Sequence, residues 1–189
     1  MKSLRSAEFW TAFFTGALAG ATFYALFYAR AQIKEAHEEA QVQHLLALEQ
    51  QYENEPMATY RKRLAERRLK GDDEPADLYK VLDFFETVGR LVDRDYLNVS
   101  DVWDNFAYPM LVLNKDAGNM IHDYQQEDAA AYVGFTSLVK KLEDIEAAHH
   151  GALTKVSTDD VQRFYREELS VGTGAPITLR AHPGFHLAP

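Results

Sequence analysis

Between Phe9 and Ala29 the chain reads FWTAFFTGALAGATFYALFYA, with no charged residue on any helical face. At about 1.5 Å per residue this run reaches roughly 30 Å, the thickness of a bilayer's hydrocarbon core. A helix is required there, because lipid offers no partners for backbone N–H and C=O groups. Phe9 and Trp10 mark one edge, and Tyr24, Tyr28, Arg30 and Lys34 the other. Aromatic rings and snorkelling cations prefer that depth. The pattern predicts an N-terminal segment and transmembrane helix over residues 1–29.

Two other readings compete. Lys2 and Arg5 could open a cleavable signal peptide, with Ala19-Gly20-Ala21 or Ala29-Arg30-Ala31 as its cleavage site. The apolar run exceeds the usual signal core of about 7–15 residues. A buried helix of a soluble domain would need protein on every face, which a chain of this size can hardly supply.

No Gly or Pro interrupts Ala21 to Glu55, so the span is expected to continue as a stalk helix over residues 30–55. Its apolar positions Ile33, Ala36, Ala40, Leu45, Leu48 and Tyr52 mix spacings of three, four and five. That mixture suits a helix with one buried stripe better than a strict coiled-coil seam.

A helical domain is expected over residues 56–169. Pro56 suits the first turn of a basic helix from Met57 to Lys70, with Gly71 as its C-cap. Asp73 is expected to cap the next helix, Ala76 to Asp93. That helix carries the cleanest amphipathic stripe, Leu78, Val81, Leu82, Phe85, Val88 and Val92, and marks the centre of the core. Ser100 and Asp101 start a further helix, which Pro109 kinks or restarts; Met110 to Gln125 continues it. A long helix is expected from Glu127 to Ala148. Ser157-x-x-Asp160 resembles a capping box and opens a last helix ending at Leu169. Residues 170–189 are Gly- and Pro-rich, without a hydrophobic period, and read as an extended tail that stays mobile unless a partner or the domain holds it. No strand pattern or internal repeat occurs, so the fold class is all-α: a transmembrane helix, a stalk, a small helical bundle and an extended tail.

Several of these stretches together resemble an uncharacterised family of bacterial membrane-anchored proteins, a domain of unknown function (family 4760). They are the N-terminal span, Tyr52-Glu53-Asn54-Glu55-Pro56-Met57 with the arginines after it, and Val81-Leu82-Asp83-Phe84-Phe85-Glu86. The segment from Tyr96-Leu97 to Val102-Trp103, with Phe106 and Tyr108-Pro109, completes the set. The likeness covers about Ala29 to Asn119, and the chain after Gly151 has no counterpart. It implies an all-helical fold behind one anchor, in a bacterial inner membrane, and brings no activity and no site residues.

Composition narrows the chemistry. The 189 residues carry a net charge of −9, which argues against nucleic acid, since phosphate binding needs a basic face. The absence of cysteine removes disulfides, thiolate catalysis and sulfur-ligated zinc. No phosphate loop, nucleophile elbow or His-Glu-x-x-His pattern is present. His37 and His44 could share a helix face, but two ligands without a carboxylate set make a poor metal site. His149 and His150 suit a helix C-terminus, and His182 and His186 stand alone in the tail. No metal or other cofactor is expected. The acids of Asp72-Asp73-Glu74, Glu143-Asp144-Glu146 and Asp159-Asp160 read as caps and solvated faces. Asp83 and Glu86, flanking the core stripe, are the only carboxylates with a notable chance of burial, about one in four, and would then pair with Arg90 or Arg61.

Two surfaces are candidate contacts. Gly16, Ala17, Gly20 and Ala21 form a small-residue stripe where another membrane helix, from a second copy or a different protein, could pack closely. Arg61, Lys62, Arg63, Arg67, Arg68 and Lys70 give the second helix six cations, for an acidic partner or anionic lipid headgroups. The plainer reading is a solvated face balancing nearby acids. Those cations also tip the expected orientation toward a cytoplasmic domain. The pattern as a whole points to a non-enzymatic membrane-anchored scaffold or accessory subunit. A sensor module and an unrecognised enzyme are the alternatives.

Overall fold

The computed structural model describes residues 2–150 and 155–170, and for residues 2–14, 17, 19 and 150 the backbone alone. Among the described residues the chain is all-helical, with six helices and no strand: α1 (Lys2–Glu53), α2 (Met57–Lys70), α3 (Ala76–Asp93), α4 (Val99–Glu127), α5 (Val133–His150) and α6 (Thr158–Ser170). It falls into two compact units, Met1–Val42 and Gln43–Pro189.

The first unit is the N-terminal part of α1. Among the described residues no helix is long and apolar enough to cross a membrane. Of the expected span, Phe9–Phe14, Ala17 and Ala19 have side chains outside the described residues. Those of Leu18, Phe23, Tyr24, Leu26, Phe27 and Tyr28 are all exposed.

The second unit takes in the last turns of α1 and the other five helices. The stalk's apolar positions differ along its length. Leu48 and Tyr52 are buried in the domain with Leu45 partly covered, whereas Ile33, Ala36 and Ala40 are exposed. Tyr52 stands among Phe84, Phe85 and Phe106, its ring 5.4–5.5 Å from each. The stripe of α3 lies at the centre as its period predicted: Leu78, Val81, Leu82, Phe85 and Val88 are all buried. Each such side chain contributes about 1.5–3 kcal/mol by leaving water.

Helix ends follow local chemistry. Gly71 closes α2 in the left-handed region (φ 74°). Its N–H donates to Arg68 O and that of Asp72 to Arg67 O, the paired bonds of a Schellman cap. The capping box of α6 is reciprocal: Asp160 N donates to Ser157 Oγ at 3.2 Å, and Ser157 N to Asp160 Oδ2 at 2.9 Å.

Three expectations are corrected. Asp73 does not cap α3. Pro75 holds the N-cap without a side-chain bond, and Asp73 turns back to Arg68. Pro109 does not restart its helix, because Phe106, Met110, Leu113, Ala117 and Ile121 continue one buried stripe across it. Burial of that stripe outweighs the roughly 3 kcal/mol that an internal proline costs. α5 begins at Val133 rather than Glu127. Asp128 N bonds Tyr124 O to close α4, Asp128 Oδ1 accepts Ala130 N, and Tyr132 turns left-handed (φ 52°).

α3 and α5 cross at two glycines. A Cβ on Gly89 would stand 2.0 Å from Gly134 O, and one on Gly134 would stand 2.7 Å from Glu86 O. Only residues without side chains allow backbones this close.

Candidate functional site

The basic face of α2 is turned largely onto the domain's own acids. Arg61 is buried, and its Nε and Nη2 each donate to Glu168 of α6 at 3.0 Å. Its Nη1 donates to Tyr52 O at 2.7 Å, and the guanidinium lies 3.8 Å over the Tyr52 ring. One cation thereby joins the end of α1, α2 and α6, using the planar fork that suits arginine for paired bonds to a carboxylate. The expected partners of Arg61, Asp83 and Glu86, lie elsewhere. Burial pushes the Glu168 carboxyl up, opposed by Arg61. Burial also raises the Tyr52 phenol.

Arg63 bonds Asp77 Oδ1 at 2.7 and 3.1 Å, and Arg67 Nε approaches Asp77 Oδ2 at 3.7 Å. Asp77 itself is buried, so these contacts compensate its charge. Arg68 bonds Asp116 at 3.0 Å and Asp73 at 2.9 Å, and Tyr165 Oη donates to the same Asp116 oxygen at 2.8 Å. Of the six cations, Lys62 and Lys70 remain exposed and in no ion pair among the described residues.

The small-residue stripe of α1 is open where it is described. A Cβ built on Gly16 or Gly20 meets nothing within 4 Å, and Ala21 is exposed. The Ala17 side chain lies outside the described residues.

Asp83 is exposed rather than buried. Glu86 pairs with Arg90 at 2.7 Å, as expected, and its other oxygen accepts Phe135 N at 2.7 Å. It thus caps α5 from the neighbouring helix and satisfies a donor that α5 leaves unpaired. The histidines are dispersed. His37 bonds Gln41, His44 meets the Tyr96 ring, and His149 stacks on Trp103 at 4.9 Å. Trp103 Nε1 donates to buried Glu146 at 3.2 Å. Among the described residues no three His, Asp or Glu gather as a metal site. The side chain of His150, with His182 and His186, lies outside them.

Sequence reasoning missed Glu168, Asp116 and the contact of Tyr79 with Tyr124. Glu168 had a signal: it shares the helical face of Val161, Phe164 and Tyr165, which are buried. Asp116 and the Tyr79–Tyr124 contact had none, because their partners are distant in the chain. Comparison with protein-family models, curated proteins and solved structures found no match.

Proposed function

We propose that this chain is a single-span, membrane-anchored scaffold or accessory subunit of a larger membrane complex. One observation carries the reading. From Leu18 to Tyr28 the large side chains Leu18, Phe23, Tyr24, Leu26, Phe27 and Tyr28 are exposed, and at 100° per residue they point to every side of α1. A helix with apolar side chains all round needs an apolar solvent. In the sequence the charge-free run extends back to Phe9, giving the length that a hydrocarbon core demands. Membership of the uncharacterised bacterial family, an inner-membrane location and a cytoplasmic domain belong to the same proposal.

The non-enzymatic part rests on how the polar groups are used. The buried cation Arg61 and the buried acids Asp77 and Glu146 bond partners within the domain, and Glu86 is spent on a cap. Catalytic acids and bases need a site where such groups remain available to a substrate. The open Gly16 and Gly20 face supplies a surface for a membrane partner or a second copy.

Fractionation tests the anchor: the full chain should pellet with membranes, resist alkaline wash and dissolve in mild detergent. Recovery in the wash supernatant overturns the reading. Native-gel analysis of the detergent extract then tests the scaffold role. A complex larger than one chain is expected, and a partner-free monomer counts against it.

One observation favours a sensor module as the second reading: Arg61 grips the carbonyl of Tyr52, where α1 ends inside the domain core. A regulatory chain should show ligand-dependent cross-linking between stalks, and a constant pattern speaks against it.

A further inference from the structure

The last turns of α1 carry a face that the domain leaves open. Leu46, Glu49 and Glu53 stand at i, i+3 and i+7, along one side of the helix. Leu46 is 47% exposed, whereas Leu48 and Tyr52 on the adjoining side are buried. Glu49 enters no hydrogen bond or ion pair among the described residues. Glu53 Oε1 is buried and accepts no hydrogen bond; its ion pair is with Arg61 Nη1, at 3.9 Å. That guanidinium already donates to Glu168 and to Tyr52 O. Glu53 and Glu168 thus share one cation, with Glu49 a turn away, and the face lacks positive charge and hydrogen-bond donors. Burial, then the Glu53 charge, accordingly pushes the Glu49 carboxyl up.

The same contacts fix where the chain leaves the domain. Arg61 holds Glu168 beside Glu53, and α6 ends two residues later at Ser170. Residues 171–189, which lie outside the described residues, therefore start next to this face. Their composition supplies what the face lacks. They contain Arg180 but no Asp or Glu, and Ile177 and Leu179 come just before the arginine. Extended chain covers about 3.3 Å per residue, and the face is about 10 Å long, so Ile177 to Arg180 can reach all of it.

We propose that residues 171–189 dock on this face of their own chain, with Arg180 between Glu49 and Glu53 and with Ile177 and Leu179 over Leu46. The planar arginine fork can donate to two carboxylates at once. Tethering raises the local concentration of the segment, so modest contacts suffice. A basic, apolar segment of another protein would have to displace it. This docking is independent of the membrane anchor.

The chain has no cysteine, so single pairs can be introduced cleanly. Leu46→Cys/Leu179→Cys is compared with Gln51→Cys/Leu179→Cys in the full chain, in mild detergent under one oxidant. Gln51 is exposed and lies about 140° round α1 from Leu46. Disulfide formation within one chain should be at least about tenfold faster for the Leu46 pair. Adding Arg180→Glu should slow it at least about tenfold, and Arg180→Lys should slow it less. A second measurement needs no cysteine. Tryptic cleavage after Arg180 should be at least about tenfold faster in Glu49→Gln/Glu53→Gln than in the unaltered chain. Equal rates for the two cysteine pairs, indifference to Arg180→Glu, or unchanged cleavage overturns the proposal. Cross-links between chains instead of within one also overturn it, and assign the face to a second copy.

Discussion

Gly89 and Gly134 meet where α3 crosses α5, so closely that a methyl group on Gly89 would stand 2.0 Å from the Gly134 carbonyl oxygen. The obstacle is backbone, which cannot rotate away as a side chain can. Gly89→Ala must therefore push two core helices apart. A loss of about 3 kcal/mol or more is expected in denaturant unfolding of the detergent-solubilised chain. Gly118→Ala is the contrasting case. Its new methyl would meet only Asn114 Oδ1 at 3.9 Å, so removing a mid-helix glycine should stabilise by about 0.5–1 kcal/mol. Similar effects from the two variants would refute a tight crossing.

Arg61 and Glu168 should behave as one unit. Arg61→Met leaves Glu168 and the Tyr52 carbonyl facing a lost cation, at an expected cost of about 3–5 kcal/mol. Glu168→Leu alone strands the guanidinium with similar effect. The double variant Arg61→Met/Glu168→Leu removes both charges and should recover much of that loss. A double-mutant cycle read by unfolding free energy checks this, and strict additivity would show that the pair does not interact.

Tyrosines give the domain an alkaline limit. Burial, then the Asp83 charge, pushes the Tyr132 phenol from its ordinary 10 up to about 12. Burial, with Asp116 alongside, raises Tyr165 as well, and burial raises Tyr52. A phenol whose pKa is higher folded than unfolded holds its proton longer in the native state. Stability is then complete below pH 10 and falls as pH climbs through the folded values. Tyrosinate absorbance should rise together with loss of helical circular dichroism above pH 10. Ionisation of all ten tyrosines near pH 10 with helicity retained would contradict the burial described.

The proposed anchor makes its own prediction. Gly16→Ile and Gly20→Ile place branched side chains on a face that is now open, so the single chain should insert and fold unchanged. Any helix–helix complex through that face should weaken by about 1 kcal/mol or more, seen as reduced cross-linking in membranes. Undiminished cross-linking would move the contact to another face.

What the sequence determined by itself was local. The 3.6-residue period of Leu78, Val81, Leu82, Phe85 and Val88 specified α3 and its inward face, because amphipathic burial depends on spacing within a single helix. The left-handed cap at Gly71 and the reciprocal box of Ser157 and Asp160 were legible for the same reason, since each is complete within a few residues. Only the tertiary structure decided where charges and close contacts fell. Arg61 finds Glu168 from 107 residues away, Glu86 accepts from Phe135 at the start of α5, 49 residues on, and Gly89 meets Gly134. Pro109 stays inside α4, and Tyr132 turns left-handed, because the packing around them outweighs local preference. Pairings of this kind depend on which faces the folded chain brings together, and no periodicity within one helix encodes that choice.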